Sequence, residues 1–286
     1  MVKVIRTVLE LKQYQSEFFE GKSVGLVPTM GNLHEGHLSL LERSVSENDI
    51  SIITIFVNPK QFGPNEDFDK YPRTLEQDVL KIEDKFSENI LVFAPKDNSE
   101  IYPEGFDTTI QVGALTKILC GANRPGHFDG VTTVVYQLFS LSKATNAYFG
   151  QKDYQQVKVI EKMTTDLHLP IKITMMPISR DQDGLARSSR NQYLSASDRE
   201  TALLLPRTLV EIESILKEET WVNSMIKINE VLESRIADKN WDYLEILDAS
   251  NLKPVNENTT EVVLVGAFRV GSTRLIDNRK VEIKYA

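Results

Sequence analysis

A strand, a turn and a helix follow one another between Val24 and Val45, and the turn carries two histidines three residues apart. Val24, Leu26 and Val27 form an apolar run of strand character, Pro28 to His37 reads PTMGNLHEGH, and Leu38, Leu40, Leu41 and Val45 recur at helical spacing. His34 and His37 therefore fall in the turn and the first helical turn. There the backbone N–H groups that a helix cannot satisfy internally, together with the positive end of its dipole, favour an anion. Two imidazoles add donors at the same place, and Gly31 and Gly36 allow backbone or ligand to approach closely. A nucleotide phosphate is the chemistry this arrangement suits.

Three other readings compete. A zinc protease signature needs histidines at i and i+4, and residue 38 is Leu. A Walker A loop needs Lys and then Ser or Thr after its second glycine, where this chain has His37 and Leu38. A surface helix with two solvated histidines is the plain alternative, because an isolated HxGH is a weak motif. The rest of the chain decides between that alternative and a phosphate site.

With 286 residues, 41% hydrophobic and 26% charged, the chain has room for two domains and an ordinary soluble core. Its net charge of −8 offers no basic footprint for nucleic acid, although a small anion in a local basic cleft remains compatible. Cys120 is the single cysteine, so no intramolecular disulfide can form. The Met-Val-Lys start lacks the apolar region of a signal peptide, and no apolar stretch approaches ~20 residues, so the expected compartment is the cytoplasm, with no membrane span.

Strand and helix patterns alternate through the first two thirds. Ile50 to Val57 is a β-branched run closed by Asn58-Pro59, Tyr71 to Phe86 has one apolar helical face, and Ile90 to Ala94 is a third short strand. Helical periodicity returns over Gly130 to Leu141 and Gln155 to Leu167, with strands at Ala147 to Phe149 and Ile171 to Met176. This alternation predicts an α/β fold: a Rossmann-like, mainly parallel sheet with helices on both faces, spanning 1–176. Ligands in such sheets bind beyond the carboxyl ends of the strands, where the histidine turn, Asn58 to Phe62 and Gly150 to Asp153 should open onto one cleft. From residue 177 a polar loop leads to helical stretches at Ser197 to Lys217 and Val222 to Ala237. Strands then follow at Tyr243 to Leu247, Glu261 to Phe268 and Thr273 to Ile276, a smaller α+β domain over 177–286.

Four further segments are too polar and too specifically spaced for loops that only connect. They are FVNPKQFG (56–63), RPGHFDGV (124–131), FGQKDYQQ (149–156) and SRDQDGLARSSRN (179–191), the last reading as a flexible loop. Together with the histidine turn, and with RLIDN (274–278) near the end, they closely resemble the pantoate–β-alanine ligases of the HxGH nucleotidyltransferase superfamily. The resemblance implies a Rossmann-type domain, a smaller C-terminal domain covering the cleft, a homodimer and Mg²⁺. It also implies a reaction in which pantoate, β-alanine and ATP give pantothenate, AMP and pyrophosphate through a bound pantoyl adenylate.

Residue by residue, the resemblance implies that Pro28, Thr29, Met30, Gly31, Asn32, Leu33, His34, Glu35, Gly36 and His37 hold ATP. His34 and His37 would meet its phosphates, with His37 the proton donor. Gln61 and Gln156 would grip pantoate, and Gln61 would also reach β-alanine. Gly150, Gln151 and Asp153 belong to the nucleotide segment, with Gly150 and Asp153 on the ribose. Lys152, Arg187, Ser188, Ser189 and Arg190 would serve the phosphates, Lys152 and Arg190 as catalytic cations, and Ser179 would offer its main chain to adenine. Asp78 matches a carboxylate associated with Mg²⁺, and Gln77 stands where some members have a second acid. Asn32 replaces the usual small alanine and suits a turn residue with positive φ. Glutamine both donates and accepts, so it can match hydroxyls and a carboxylate without neutralising the nucleophile. His168 is expected to be a structural residue at a helix end, and Cys120 a small packed one.

Overall fold

A computed structural model describes residues 2–64, 66–86 and 90–285, and the chain separates into two compact units. One comprises Met1–Gly150 and Gln156–Pro177, the other Gln151–Gln155 and Ile178–Ala286. No described helix is long and apolar enough to cross a membrane.

The first unit contains β1 (Lys3–Ile5), α1 (Val8–Phe18), β2 (Val24–Thr29), α2 (Glu35–Glu47), β3 (Ile50–Ile55), α3 (Leu75–Lys85) and β4 (Ile90–Phe93). After these come α4 (Leu119–Asn123), α5 (His127–Ser142), β5 (Asn146–Gly150), α6 (Tyr154–Asp166), whose first residues group with the other unit, and β6 (Lys172–Met176). The strands line up as β1-β4-β3-β2-β5-β6, and every recorded pairing is parallel. Register explains why the strands read as nearly continuous apolar runs. Leu26 lies level with Ile52 and Ala147, and Ile52 with Leu91, all buried in one row. The alternate residues Val27, Ile53, Val92 and Tyr148 pack with Leu38 and Leu41 of α2 and Ile82 of α3. Phe149, on the face opposite Tyr148, meets Phe139 of α5 with ring centroids 6.4 Å apart, so both faces are covered.

From β2 the order proceeds outward through β3 and β4 on one side and through β5 and β6 on the other. The reversal lies between β2 and β5, the place where such sheets open at their carboxyl ends. The residues after Thr29 and after Ile55 leave from this edge, and β5 ends there at Gly150. The third helix is shorter than its periodicity suggests, starting at Leu75 rather than Tyr71, because Pro72 disfavours helical backbone at the residue before it.

The second unit holds α7 (Ala196–Ala202), α8 (Leu204–Glu218), α9 (Trp221–Ile236) and the antiparallel strands β7 (Trp241–Asp248), β8 (Glu261–Val270) and β9 (Thr273–Glu282), in the order β7-β8-β9. The stretch Ser197 to Lys217, which reads as one helix, is broken at Leu203. Pro206 has no N–H for the Ala202 carbonyl four residues back, and its ring crowds that carbonyl. Leu205, Leu209, Ile212 and Leu216 of α8 pack with Leu244, Val262, Leu264 and Phe268 of the sheet. The last strand runs well past Ile276. Asp277 and Asn278 interrupt the apolar pattern there, yet both are buried among polar partners.

Candidate active site

The histidine turn is a strained piece of backbone with several separate anchors. Gly31 has φ +85° and Asn32 φ +50°, two left-handed residues in succession, as the asparagine led one to expect. A side chain on Gly31 would also come within 3.0 Å of Ile55 Cγ2 and 3.2 Å of Asp78 Oδ2. Thr29 Oγ1 donates to the Thr54 carbonyl at 2.6 Å and accepts from Gly31 N–H at 3.2 Å, tying the turn to β3. Asp78, fully buried on the first turn of α3, accepts from Asn32 N–H at 2.9 Å, Leu33 N–H at 2.7 Å and Thr74 Oγ1 at 3.0 Å. Lys81 Nζ donates to the Leu33 carbonyl at 2.7 Å. A non-glycine residue held left-handed costs on the order of 1–3 kcal/mol, and charge-assisted bonds from a carboxylate are strong enough to offset it.

His34 is the N-cap of α2. Its Nδ1 accepts from Gly36 N–H at 3.1 Å, and His37 Nδ1 accepts from His34 N–H at 3.4 Å, a reciprocal capping box built from imidazoles. The two rings stack with centroids 4.0 Å apart. Because Nδ1 accepts in both rings, the neutral tautomer carries its proton on Nε2 in each. The sequence therefore folds into a pair of N–H donors at a helix N-terminus, which is suited to a phosphate.

A second cluster fixes Gln61, which lies in a single 3₁₀ turn, Pro59–Gln61, just past β3. Asn58, only 1% exposed, donates through Nδ2 to Gln61 Oε1 and to the Gly130 carbonyl, both at 3.1 Å. Its Oδ1 accepts from the Tyr102 hydroxyl at 2.7 Å and from Lys60 N–H at 3.2 Å. Burial pushes the Tyr102 phenol well above its ordinary range, so it remains a neutral donor. Gln61 Nε2 reaches Met30 Sδ at 3.3 Å, which joins this cluster to the histidine turn. The main-chain carbonyl of Gln61 accepts from His127 Nδ1 at 2.9 Å and from Arg124 at 3.3 Å. With Nδ1 donating, His127 Nε2 accepts from Arg124 at 3.0 Å, and Arg124 grips both oxygens of Glu66 at 2.6 and 2.5 Å. Burial raises the Glu66 carboxyl, but the hydrogen bond and charge of Arg124 outweigh it and hold it below the usual carboxylate range. Gly130 makes the cluster possible, since a Cβ there would fall 2.2 Å from the Lys60 carbonyl oxygen and 2.6 Å from Gln61 N.

Within the second unit, the turn Gln151–Asp153 is clamped by Asn278 of β9. Its Nδ2 donates to the Gln151 and Lys152 carbonyls at 2.8 and 3.0 Å, and its Oδ1 accepts from Gln151 Nε2 at 3.1 Å. Lys152 Nζ lies 3.4 Å from Asp153 Oδ2. The segment 179–191, expected as a flexible loop, holds one isolated β-bridge and the start of a 3₁₀ turn, with several hydrogen bonds between its residues and the rest of the unit. Arg180 and Ala186 form a bridge, Arg187 N–H donates to the Ser179 carbonyl at 2.9 Å, and Arg180 clasps buried Asp277 at 2.7 and 2.9 Å. Arg199 ties down Asp181 and Asp183 at 2.8 and 2.7 Å. Ser188 caps the 3₁₀ turn that carries Ser189 and Arg190, and Arg187 Nε lies 3.0 Å from Asp181 Oδ1.

The structure thus gathers Met30, His34, His37, Asp78 and Gln61 around the turn after β2, with half-buried Gln156 on the first turn of α6 in the same unit. Gln151, Lys152, Asp153, Ser179 and Arg187 to Arg190 group in the other unit. Asp78 does not fit the metal-associated role that the resemblance implies, because both its oxygens accept from N–H or O–H donors in a fully enclosed position. Among the described residues no cluster of three or more His, Cys, Asp or Glu could hold a metal ion. Lys81, Arg180, Asp277 and Asn278 carry no role in the sequence reading. The partners that matter lie tens of residues away, although Arg180 falls in the polar segment 179–191 and Asp277 and Asn278 in RLIDN.

Known proteins align with this chain along nearly its whole length. A family model described as pantoate-beta-alanine ligase matches residues 3–280. The pantothenate synthetase of Acetivibrio thermocellus is 48% identical over 287 residues, covering 99% of this chain and 100% of that protein. The crystal structure of pantothenate synthetase from Thermus thermophilus superposes with a TM-score of 0.86 at 41% identity, over 97% of this chain and 98% of that one. Pantoate-beta-alanine ligase from Francisella tularensis, complexed with beta-gamma ATP and beta-alanine, gives a TM-score of 0.77 at 33% identity, over 98% and 97% of the two chains. The chain therefore belongs to the pantoate–β-alanine ligase family.

Proposed function

We propose that this chain condenses pantoate with β-alanine, converting ATP to AMP and pyrophosphate through a bound pantoyl adenylate. The observation that carries the reading is the stacked pair His34 and His37, each anchored through Nδ1 at the N-terminus of α2 so that its proton resides on Nε2. Such a pair supplies donors to phosphate oxygens without the bulk of a fixed cation. The Francisella ligase was crystallised with beta-gamma ATP and beta-alanine, and the same two ligands are assigned to this chain.

In the first half-reaction a pantoate carboxylate oxygen attacks the α-phosphorus, the bond from that phosphorus to the α,β-bridging oxygen breaks, and the β- and γ-phosphates leave as pyrophosphate. The protein aligns two anions and meets the negative charge that grows on the leaving oxygens. Pro28 to His37 hold the nucleotide, with His34 and His37 on its phosphates and the His37 Nε2–H donating a hydrogen bond to the departing group. Gly150 to Asp153 take the ribose side, Ser179 offers its main chain to adenine, and Lys152, Arg187, Ser188, Ser189 and Arg190 serve the phosphates. Gln61 and Gln156 hold pantoate. Asn58 occupies Gln61 Oε1, so the amide presents its Nε2 hydrogens to an oxygen of the substrate. In the second half-reaction the β-alanine amine, also reached by Gln61, attacks the acyl carbon and AMP departs. Magnesium is assigned to the nucleotide's own phosphates, the assembly to a homodimer and the compartment to the cytoplasm.

Oxygen labelling tests the route. Pantoate carrying ¹⁸O in its carboxylate should pass label to AMP, and pyrophosphate should form before β-alanine is added. Label in inorganic phosphate, with ADP as the nucleotide product, would mean attack at the γ-phosphorus and would overturn the reading.

A further inference from the structure

Asp78 and Lys81 sit one helical turn apart on α3 and act on a single stretch of backbone from opposite sides. Asp78 Oδ1 accepts the Leu33 N–H at 2.7 Å, while Lys81 Nζ donates to the Leu33 carbonyl at 2.7 Å. That carbonyl shares its peptide plane with the N–H of His34, and the N–H of His34 is what His37 Nδ1 accepts, at 3.4 Å. A continuous chain therefore runs from the Lys81 ammonium through the Leu33–His34 peptide to the His37 ring. Hydrogen bonds in series polarise one another, so a cation on the carbonyl makes the N–H of the same peptide a better donor. The effect is to keep Nδ1 of His37 unprotonated and its proton on Nε2.

The carboxylate of Asp78 is committed to this work. Its Oδ2 takes two donors, Asn32 N–H and Thr74 Oγ1, its Oδ1 takes Leu33 N–H, and the Lys81 ammonium lies 3.9 Å from Oδ1. The residue has no solvent exposure. Mg²⁺ demands a near-octahedral shell with oxygens at about 2.0–2.1 Å, usually including several waters. Amide hydrogens already aimed at both oxygens, with an ammonium beside them, are the wrong surroundings for a second cation. We propose that Asp78 and Lys81 are positioning residues that brace the Leu33–His34 peptide and so set the tautomer of His37, and that Asp78 is not a magnesium ligand. The part concerning turnover rests on the adenylate-forming reading, whereas the brace itself does not.

Two variants and a substrate-free measurement test this. In the nucleotide-free protein, Asp78→Asn should speed amide exchange at Asn32 and Leu33 by about tenfold or more, the scale of losing a charge-assisted bond. Lys81 is partly exposed, so Lys81→Met is expected to keep the fold; it should move the His37 ring ¹⁵N shifts away from the Nε2–H pattern. In turnover Lys81→Met should lower kcat about tenfold with KM for ATP within roughly threefold, and both variants should keep the half-saturating Mg²⁺ concentration of the parent. Unchanged His37 shifts in Lys81→Met would overturn the brace. A tenfold or larger rise in the Mg²⁺ requirement of Asp78→Asn, with exchange at Asn32 and Leu33 unaltered, would make Asp78 a metal ligand after all. Because exchange and ring shifts need no substrate, a wrong reaction assignment would show in the labelling experiment and leave these results standing.

Discussion

His34 and His37 stack with ring centroids 4.0 Å apart while the main-chain N–H of one donates to Nδ1 of the other. The pair is thus a single unit in which backbone geometry and ring orientation depend on each other. Replacing either residue with alanine should lower kcat/KM by at least ~100-fold, the usual scale for one electrostatic donor. The two variants should differ in stability: His34→Ala also removes the N-cap of α2, a loss of about 1 kcal/mol, whereas His37→Ala leaves the Gly36 bond in place. Steady-state kinetics with thermal denaturation would check both halves. Near-parental turnover in both variants would return the histidines to a solvated surface role.

Gln61 and Gln156 should matter more to pantoate than to ATP. Calorimetric titration of each substrate separately is expected to show a tenfold or larger loss of pantoate affinity in Gln61→Ala and Gln156→Ala, since a substrate oxygen is left without its donor. ATP affinity should stay within about threefold. The reverse pattern would place the two pockets the other way round.

Gly130 offers a test of packing alone. A Cβ there would meet the Lys60 carbonyl and the Gln61 nitrogen, both backbone atoms of a turn that cannot give way cheaply. Gly130→Ala should therefore destabilise the protein by at least ~1–3 kcal/mol, the cost of overpacking a tight contact, and displace Gln61. Chemical denaturation would give the first number and the KM for pantoate the second. A variant with parental stability and KM would show that α5 does not seat on the turn as described.

The ion pair of Glu66 with Arg124 makes a pH-dependent contribution. Its folded carboxyl titrates below the ordinary glutamate value of about 4.3, so the unfolded chain takes up the proton first as pH falls. The stabilisation is fully present above that ordinary value and is lost as pH drops through the lower folded one. Melting temperature recorded from about pH 6 to about pH 3 should fall less steeply in Glu66→Gln than in the parent. Parallel acid limbs would show that the pair adds nothing to stability.

Most of the fold and part of the site are legible in the order of residues. Apolar runs such as Ile50 to Val57, alternating with helical periodicity, dictate a parallel sheet, and the reversal of strand order places the turn after β2 at its open edge. The positive φ of Asn32 was visible in the residue type, as was the position of a histidine pair at a helix start. What tertiary structure alone decided is which polar groups hold the site in place. The family resemblance implies a metal-associated carboxylate at Asp78, but folding delivers it to two amides 45 and 46 residues away. Asn278 falls within a recognised motif yet shows its use only when β9 brings it to the Gln151 and Lys152 carbonyls. The helical break at Leu203 was concealed by amphipathic spacing that continues across Pro206. Periodicity and turn chemistry are local and survive in sequence, whereas the partner of a buried polar group is fixed by packing between distant segments.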